Sequence, residues 1–278
     1  EIMAGRGTEN NGLYLDASHL GAKFVEEKFP GMVERVKDIG KDLAREKVEI
    51  TPTSHYQMGG VKIDIHCRSN LKGLLVAGED AGGTHGANRL GGNGICDSTV
   101  FGRRAGDMAA ELALQENHHP FRDSQAEEIR MRWLRPFLLD SGQDIYPIRD
   151  EIKNLMWEKV GLVRNGKQME EAIGRLNELA QDVDRTRVEN RQLVRYNMEW
   201  NNIIDVTNSI AVCTMVAHSA LRREESRGAH YREDFTGIDN KNWLVNIHLR
   251  RTGERDMELT TKPVNLTRLK MEDLEGLK

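Results

Sequence analysis

Between Thr51 and Gly106 the chain collects side chains able to do chemistry. They are His55 beside Tyr56 in a turn, Glu79 after a short apolar run, His85 and Arg89 in a glycine-rich loop, and Asn93-Gly94-Ile95 where a helical pattern begins. A carboxylate, a glycine loop and a helix amino end together suit an anionic or polar cofactor, because free amides and the positive end of the helix dipole meet there. Motifs that would narrow the chemistry are absent. Gly92 and Gly94 have the spacing of a dinucleotide fingerprint, but Asp97 stands where its third glycine belongs. There is no Walker loop, no HExxH pair and no G-x-S-x-G turn. His66-Cys67 lacks further ligands, so no metal site is expected. His85 reads as a structural hydrogen-bonding residue that shapes its loop, and His118-His119 before Pro120 reads as a solvated linker.

The elements that must position these residues follow from period and punctuation. Gly12 to Asp16 and Lys47 to Thr51 are expected strands, and Phe24 to Val36 two short helices meeting at Pro30-Gly31. Val61 to Ile65 alternates as a strand. Leu74 to Ala77 is a continuous apolar run expected to be a strand buried on both faces. A helix is expected from Asn93 to about Gln115, lined on one side by Gly102, Ala105, Gly106, Ala109 and Ala110. After residue 120 the pattern becomes helical: around Ile129 to Phe137, after Pro147, from Met169 to Val183, and from Ile203 to about Arg222, with Gly228 expected to end the last helix. Trp243 to Leu249 and Met257 to Thr261 alternate about Gly253 as a β-hairpin, followed by a charged tail.

Composition excludes several classes of partner and scaffold. A net charge of -4 over 278 residues, with no basic stripe interleaved with aromatics, argues against nucleic acid. Cys67, Cys96 and Cys213 lie far apart without C-x-x-C spacing, so neither a disulfide framework nor a zinc site is expected, and a reducing compartment fits. The longest uncharged run, Val206 to Leu221, falls short of a membrane span, so a soluble chain is expected. The opening EIMAGRG has no initiator Met or signal peptide and reads as the last turn of a helix that began earlier.

The wording of the central stretch is more specific than its composition. HYQMGG, GLLVAGE, HGANRLGGN and VFGRRAG follow one another, and ESRGAHYREDF, NWL and TTKPVNL come later. In that order they resemble the C-terminal half of the succinate dehydrogenase and fumarate reductase flavoprotein family. The resemblance implies an α+β, multidomain chain. Residues 1–50 would be the end of a capping domain, 51–120 the last segment of an FAD-binding α/β domain, 121–235 a helical domain, and 236–278 a C-terminal hairpin and tail.

The resemblance also implies roles. His55 would be a substrate-carboxylate ligand and Arg89 the main carboxylate clamp, for which a planar, permanently charged guanidinium is suited. Glu79 would bind the cofactor FAD, and Asn93, Gly94 and Ile95 would meet the flavin through backbone groups. This chain writes Asn-Gly-Ile-Cys where the family usually writes Asn-Ser-Leu-Leu, which removes one hydroxyl and spares the backbone contacts. The reaction implied is succinate–fumarate interconversion, with electrons passed to an iron–sulfur subunit, then usually to quinone through a membrane anchor. The flavoprotein would be cytoplasmic, held at the inner face of the membrane by those partners. The family's dinucleotide motif, flavin-carrying histidine and proton-shuttling arginine would all precede Glu1, so the isolated chain is expected to be inactive. L-aspartate oxidase shares HGANRL and SRGAHY, but Met58, Gly91-Gly92 and the hairpin tail look more like the dicarboxylate enzymes. A non-catalytic interaction module is the reading from a different class.

Overall fold

The computed structural model describes residues 1–115, 122–253 and 255–274, so the His118-His119 linker lies outside the described residues. The chain divides into two units, Glu1–Gly60 and Val61–Lys278. In the first, β1 (Leu13–Leu15) pairs antiparallel with β2 (Val48–Ile50), Leu13 opposite Ile50. Gly12 permits this approach, since a Cβ there would lie 2.8 Å from the Ile50 carbonyl oxygen. The helices α1 (Ala22–Lys28) and α2 (Pro30–Asp38) break at Phe29, whose φ of -126° and ψ of 45° leave the helical region. The break is dictated by Pro30, which disfavours helical geometry in the residue before it and is itself well placed in a first turn. Val25, Val33, Leu43, Ala44 and Val48 form the small core of this unit.

The second unit opens with β3 (Val61–Lys62) and β4 (Ala81–Gly82), a short parallel pair. The alternating run thus ends two residues in, because Asp64 organises a turn: its Oδ1 accepts from the amides of His66 and Arg68, at 2.8 and 3.0 Å. The Arg68 amide, with the Arg68 guanidinium, holds the Asp64 carboxyl down at about 2. Leu74 to Ala77 is not the two-faced buried strand its apolarity suggests. The chain folds back on itself, Ser69 donating to the Leu74 carbonyl at 3.0 Å and Val76 to that of Cys67 at 2.9 Å, so these groups are satisfied locally. Leu74 remains 42% exposed.

Helix α3 (Asn93–Gln115) spans the expected range. Four more helices, α4 (Asp123–Leu138), α5 (Ile145–Val160), α6 (Gly166–Val183) and α7 (Met198–Arg222), make the helical region. Their starts are set by side-chain caps: Asp144 accepts from the Tyr146 amide, Asn165 from Gln168 and Asn197 from Trp200, at 3.0, 2.9 and 2.9 Å. Apolar residues at helical spacing, among them Ile145, Ile152, Met169, Leu176, Leu179, Ile203 and Ile210, close into one core. Trp200 ties α7 to α4 through an edge-on contact with Phe137 at 5.4 Å and a 2.7 Å hydrogen bond to the Trp133 carbonyl. At 25 residues α7 is longer than its uncharged run, and by length and composition it could cross a membrane; its Ile203, Val206, Ile210 and Ala217 are nonetheless buried in the bundle core. After the single turn α8 (Asn240–Trp243), β5 (Val245–Arg251) and β6 (Met257–Pro263) form the antiparallel hairpin, with Leu249 opposite Leu259.

Gly228 does not end α7. That helix stops at Arg222, and Arg232 Nη1 covers its last carbonyls, donating to Ala220, Leu221 and Arg223 at 3.2, 3.0 and 3.1 Å.

Candidate functional site

Glu79 sits in one turn of tight helix, Gly78–Asp80, packed on α3. Gly78 makes the packing possible: its φ is +76°, and a Cβ on it would meet the Ser98 hydroxyl at 3.1 Å. The Cys67 thiol also approaches α3, at the Phe101 carbonyl, at 3.6 Å. Glu79 is exposed beside this helix.

The loop 83–92 then runs to the amino end of α3. Gly83, Gly86, Gly91 and Gly92 have open space where a Cβ would stand, and three of them, at +108°, +59° and +81°, adopt positive φ. The peptide backbone is therefore bare along the loop. His85 anchors it, its Nε2 lying 3.3 Å from Asp97 Oδ2 with both side chains almost fully buried. The structural role expected of His85 is thus what its geometry provides, and the Asp97 that spoils the dinucleotide fingerprint is its partner. Arg89 follows, half-buried, with Nη1 donating to the Leu90 carbonyl at 3.3 Å. The Asn93 amide donates to Leu90 at 3.2 Å, so the loop carrying Arg89 closes directly onto the first turn of α3, where Asn93 and Ile95 are exposed and Gly94 is half-buried.

Glu79, Arg89, Asn93, Gly94 and Ile95 all belong to the second unit, around one helix start. His55 belongs to the first unit, exposed in an extended segment without regular structure. Gly102 and Gly106, on the small-residue side of α3, face open space. These donors suit a large cofactor with hydroxyls and a flat polar edge. Bare peptide groups let a ring approach closely, a carboxylate accepts from hydroxyls, and the helix start favours negative charge.

The ESRGAHYREDF block opens on a carboxylate, Glu225, that its sequence alone did not single out. Glu225 is fully buried and accepts from Arg223 Nη1 at 2.5 Å, from Arg227 Nε and Nη2 at 2.7 and 2.9 Å, and from the Asp239 amide at 2.9 Å. Burial works to raise its pKa and is outweighed by these donors, so the carboxyl lies below its ordinary value. Arg223 also reaches the Trp243 and Val245 carbonyls at 2.9 and 2.6 Å, fastening the hairpin. Arg164 binds the Val160 and Gly161 carbonyls through Nε and His230 Nδ1 through Nη1, the last at 2.8 Å. Burial, then the Arg164 charge, pushes the His230 imidazole down to about 4. The available signal was the Arg-x-Glu-x-Arg alternation of residues 223–227, which puts a carboxylate between two cations.

Residues 1–95 match the FAD binding domain family, and residues 149–275 match the family described as fumarate reductase flavoprotein C-term. The chain is 42% identical over 254 residues to one subunit of the fumarate reductase (CoM/CoB) of Methanothermobacter marburgensis, covering 91% of this chain and 46% of that protein. It is 35% identical over 263 residues to the fumarate reductase flavoprotein subunit of Escherichia coli, covering 92% and 44%. A solved E. coli quinol fumarate reductase FrdA with one substitution superposes with a TM-score of 0.86 at 34% identity, over 93% of this chain and 45% of that one. The chain spans less than half the length of these relatives. It belongs to the succinate dehydrogenase and fumarate reductase flavoprotein family, whose C-terminal domain it carries, and FAD is the cofactor indicated by its match to the FAD binding domain family.

Proposed function

We propose that this chain forms one wall of an FAD-dependent active site that interconverts succinate and fumarate. Arg89 and His55 hold the substrate carboxylates, while Glu79 and the Asn93–Ile95 backbone hold FAD. Bound FAD supplies the hydride acceptor or donor. The observation that carries the reading is the closure of the Arg89 loop onto the first turn of α3, the Asn93 amide bonding the Leu90 carbonyl at 3.2 Å. A substrate-binding cation and a cofactor-binding helix start thereby share one short loop anchored by His85 and Asp97.

The chemistry asked of these residues is positional and electrostatic. A guanidinium can meet a carboxylate with two parallel hydrogen bonds, which would fix the carbon skeleton of the substrate in one orientation. In reduction of the alkene its charge draws electron density toward the carboxylate, which makes the distal carbon more receptive to hydride. His55, in the first unit, is assigned a substrate carboxylate by the HYQMGG motif that carries it. The amides of Gly94 and Ile95, at the amino end of α3, would favour negative charge on the cofactor held there.

The opposite wall of the site, an iron–sulfur partner that takes or supplies electrons, and a membrane anchor at the cytoplasmic face complete the proposal. The relatives' names carry both a quinol and CoM/CoB, so the electron donor is the part of the assembly with most room to differ. The test is spectroscopic. The flavoprotein carrying this chain should show a flavin absorbance band that shifts on adding succinate, and Arg89→Gln should remove the shift while keeping the band. A band that never responds to dicarboxylate sinks the substrate assignment, and a colourless folded protein sinks the cofactor assignment.

A further inference from the structure

We propose that the Arg227–His230 turn of the helical region positions Arg89, acting through the backbone of Ala87; the inference rests on reading Arg89 as the carboxylate clamp. Arg227 and His230 exchange backbone hydrogen bonds at 2.8 and 3.0 Å, which puts Gly228-Ala229 at the tip of a two-residue turn. That tip meets the HGANRL loop. The Ala229 amide donates to the Ala87 carbonyl at 3.0 Å. A Cβ on Gly228 would lie 2.6 Å from the Ala87 carbonyl carbon and 2.8 Å from its Cβ, and Gly228 has a φ of +60°, so both space and backbone geometry demand glycine.

Neither side of this contact yields easily. Behind the turn, Glu225 gathers Arg223 and Arg227, and Arg164 ties His230 to the last carbonyls of α5. On the loop side, His85 is held by Asp97 of α3. Ala87 therefore lies between two fixed points in a stretch otherwise rich in unconstrained glycine, and Arg89 is the second residue beyond it. A two-bond clamp tolerates little displacement, so the placement of this backbone sets how well a dicarboxylate is gripped. Gly228 and Ala229 are positioning residues; neither touches substrate in this assignment.

The experiment uses the FAD-loaded flavoprotein that carries this chain, with malonate as a probe dicarboxylate whose single methylene cannot become an alkene. Gly228→Ala should speed amide exchange in the 84–90 segment and weaken malonate binding about tenfold or more, with flavin content unchanged. Because coupling between two sites is reciprocal, malonate should in turn slow exchange of the Ala229 amide in the unsubstituted protein, a measurement that stands even if Gly228→Ala fails to fold. Faster loop exchange with unchanged malonate affinity, no change in loop exchange, or an Ala229 amide indifferent to malonate would each overturn the inference. Arg89→Gln separates the two ideas. If it leaves malonate binding intact, the clamp reading itself fails. If it abolishes binding while Gly228→Ala does not weaken it, only the positioning inference fails.

Discussion

His85 Nε2 lies 3.3 Å from Asp97 Oδ2, and this buried pair joins the glycine loop to the helix it opens. Removing the imidazole leaves a carboxylate 2% exposed without that partner, and such a loss costs about 1–3 kcal/mol for a buried polar group, more for a charged one. His85→Ala is expected to lower the denaturation midpoint and to weaken flavin retention together. Titrating the variant with free FAD checks it, and unchanged cofactor affinity would detach the pair from the cofactor site.

Arg89→Lys keeps the charge and loses the fork. If the guanidinium clamps a carboxylate through two bonds, replacing it by a point charge removes one charge-assisted bond, about 1.5–3 kcal/mol. Substrate KM should rise by about 10–150-fold, with the flavin spectrum unaltered. A variant with native KM would show that Arg89 serves only its loop.

Glu225→Ala tests the hub of the helical region. Arg223 and Arg227 are 16% and 21% exposed, so deleting the carboxylate leaves two cations inside the protein; breaking a buried pair this way costs about 3–5 kcal/mol. The hairpin should loosen as well, because Arg223 holds the Trp243 and Val245 carbonyls. Urea unfolding and exchange at residues 243–251 would read both effects, and a stable variant would show that the arginines find other partners.

Stability should fall with acid in two separate windows. His230 is held down to about 4 by burial and the Arg164 charge, below the ordinary 6.5, so the unfolded chain binds its proton first. Its contribution is present above 6.5, is lost progressively as pH falls from about 6.5 to 4, and levels off below. Asp234, held to about 2 chiefly by Arg232, adds a further loss between its ordinary 3.8 and about 2. His230→Gln retains an acceptor for Arg164 and should flatten the upper window only. Denaturant midpoints measured across pH 3 to 7 check this, and an unchanged slope in the variant would assign the loss to other groups.

Much of the fold was legible without coordinates. α3, α5, α6 and α7 carry apolar residues at helical spacing, and three of them begin at an Asp or Asn cap, so local pattern and local hydrogen bonding agree. The helix break at Pro30 and the hairpin about Gly253 follow from backbone chemistry equally local to the sequence. The misreadings came where an isolated local signal had two outlets. The apolar run at Leu74–Ala77 has the composition of a buried strand, yet a strand requires a neighbour, and among the described residues its backbone hydrogen bonds go back to residues 67–71.

Site chemistry divides along the same line. The ordered blocks around His55, Glu79, Arg89 and Asn93 already identified a family and its cofactor from the sequence alone, because residue types in fixed order carry that information. Which residues hold Arg89 in place did not lie in any local pattern. Gly228 reads as a helix stop in one dimension. In three dimensions it is where the backbone of the helical region comes too close to Ala87 for any side chain, a constraint that exists only once residues far apart in the chain are packed together.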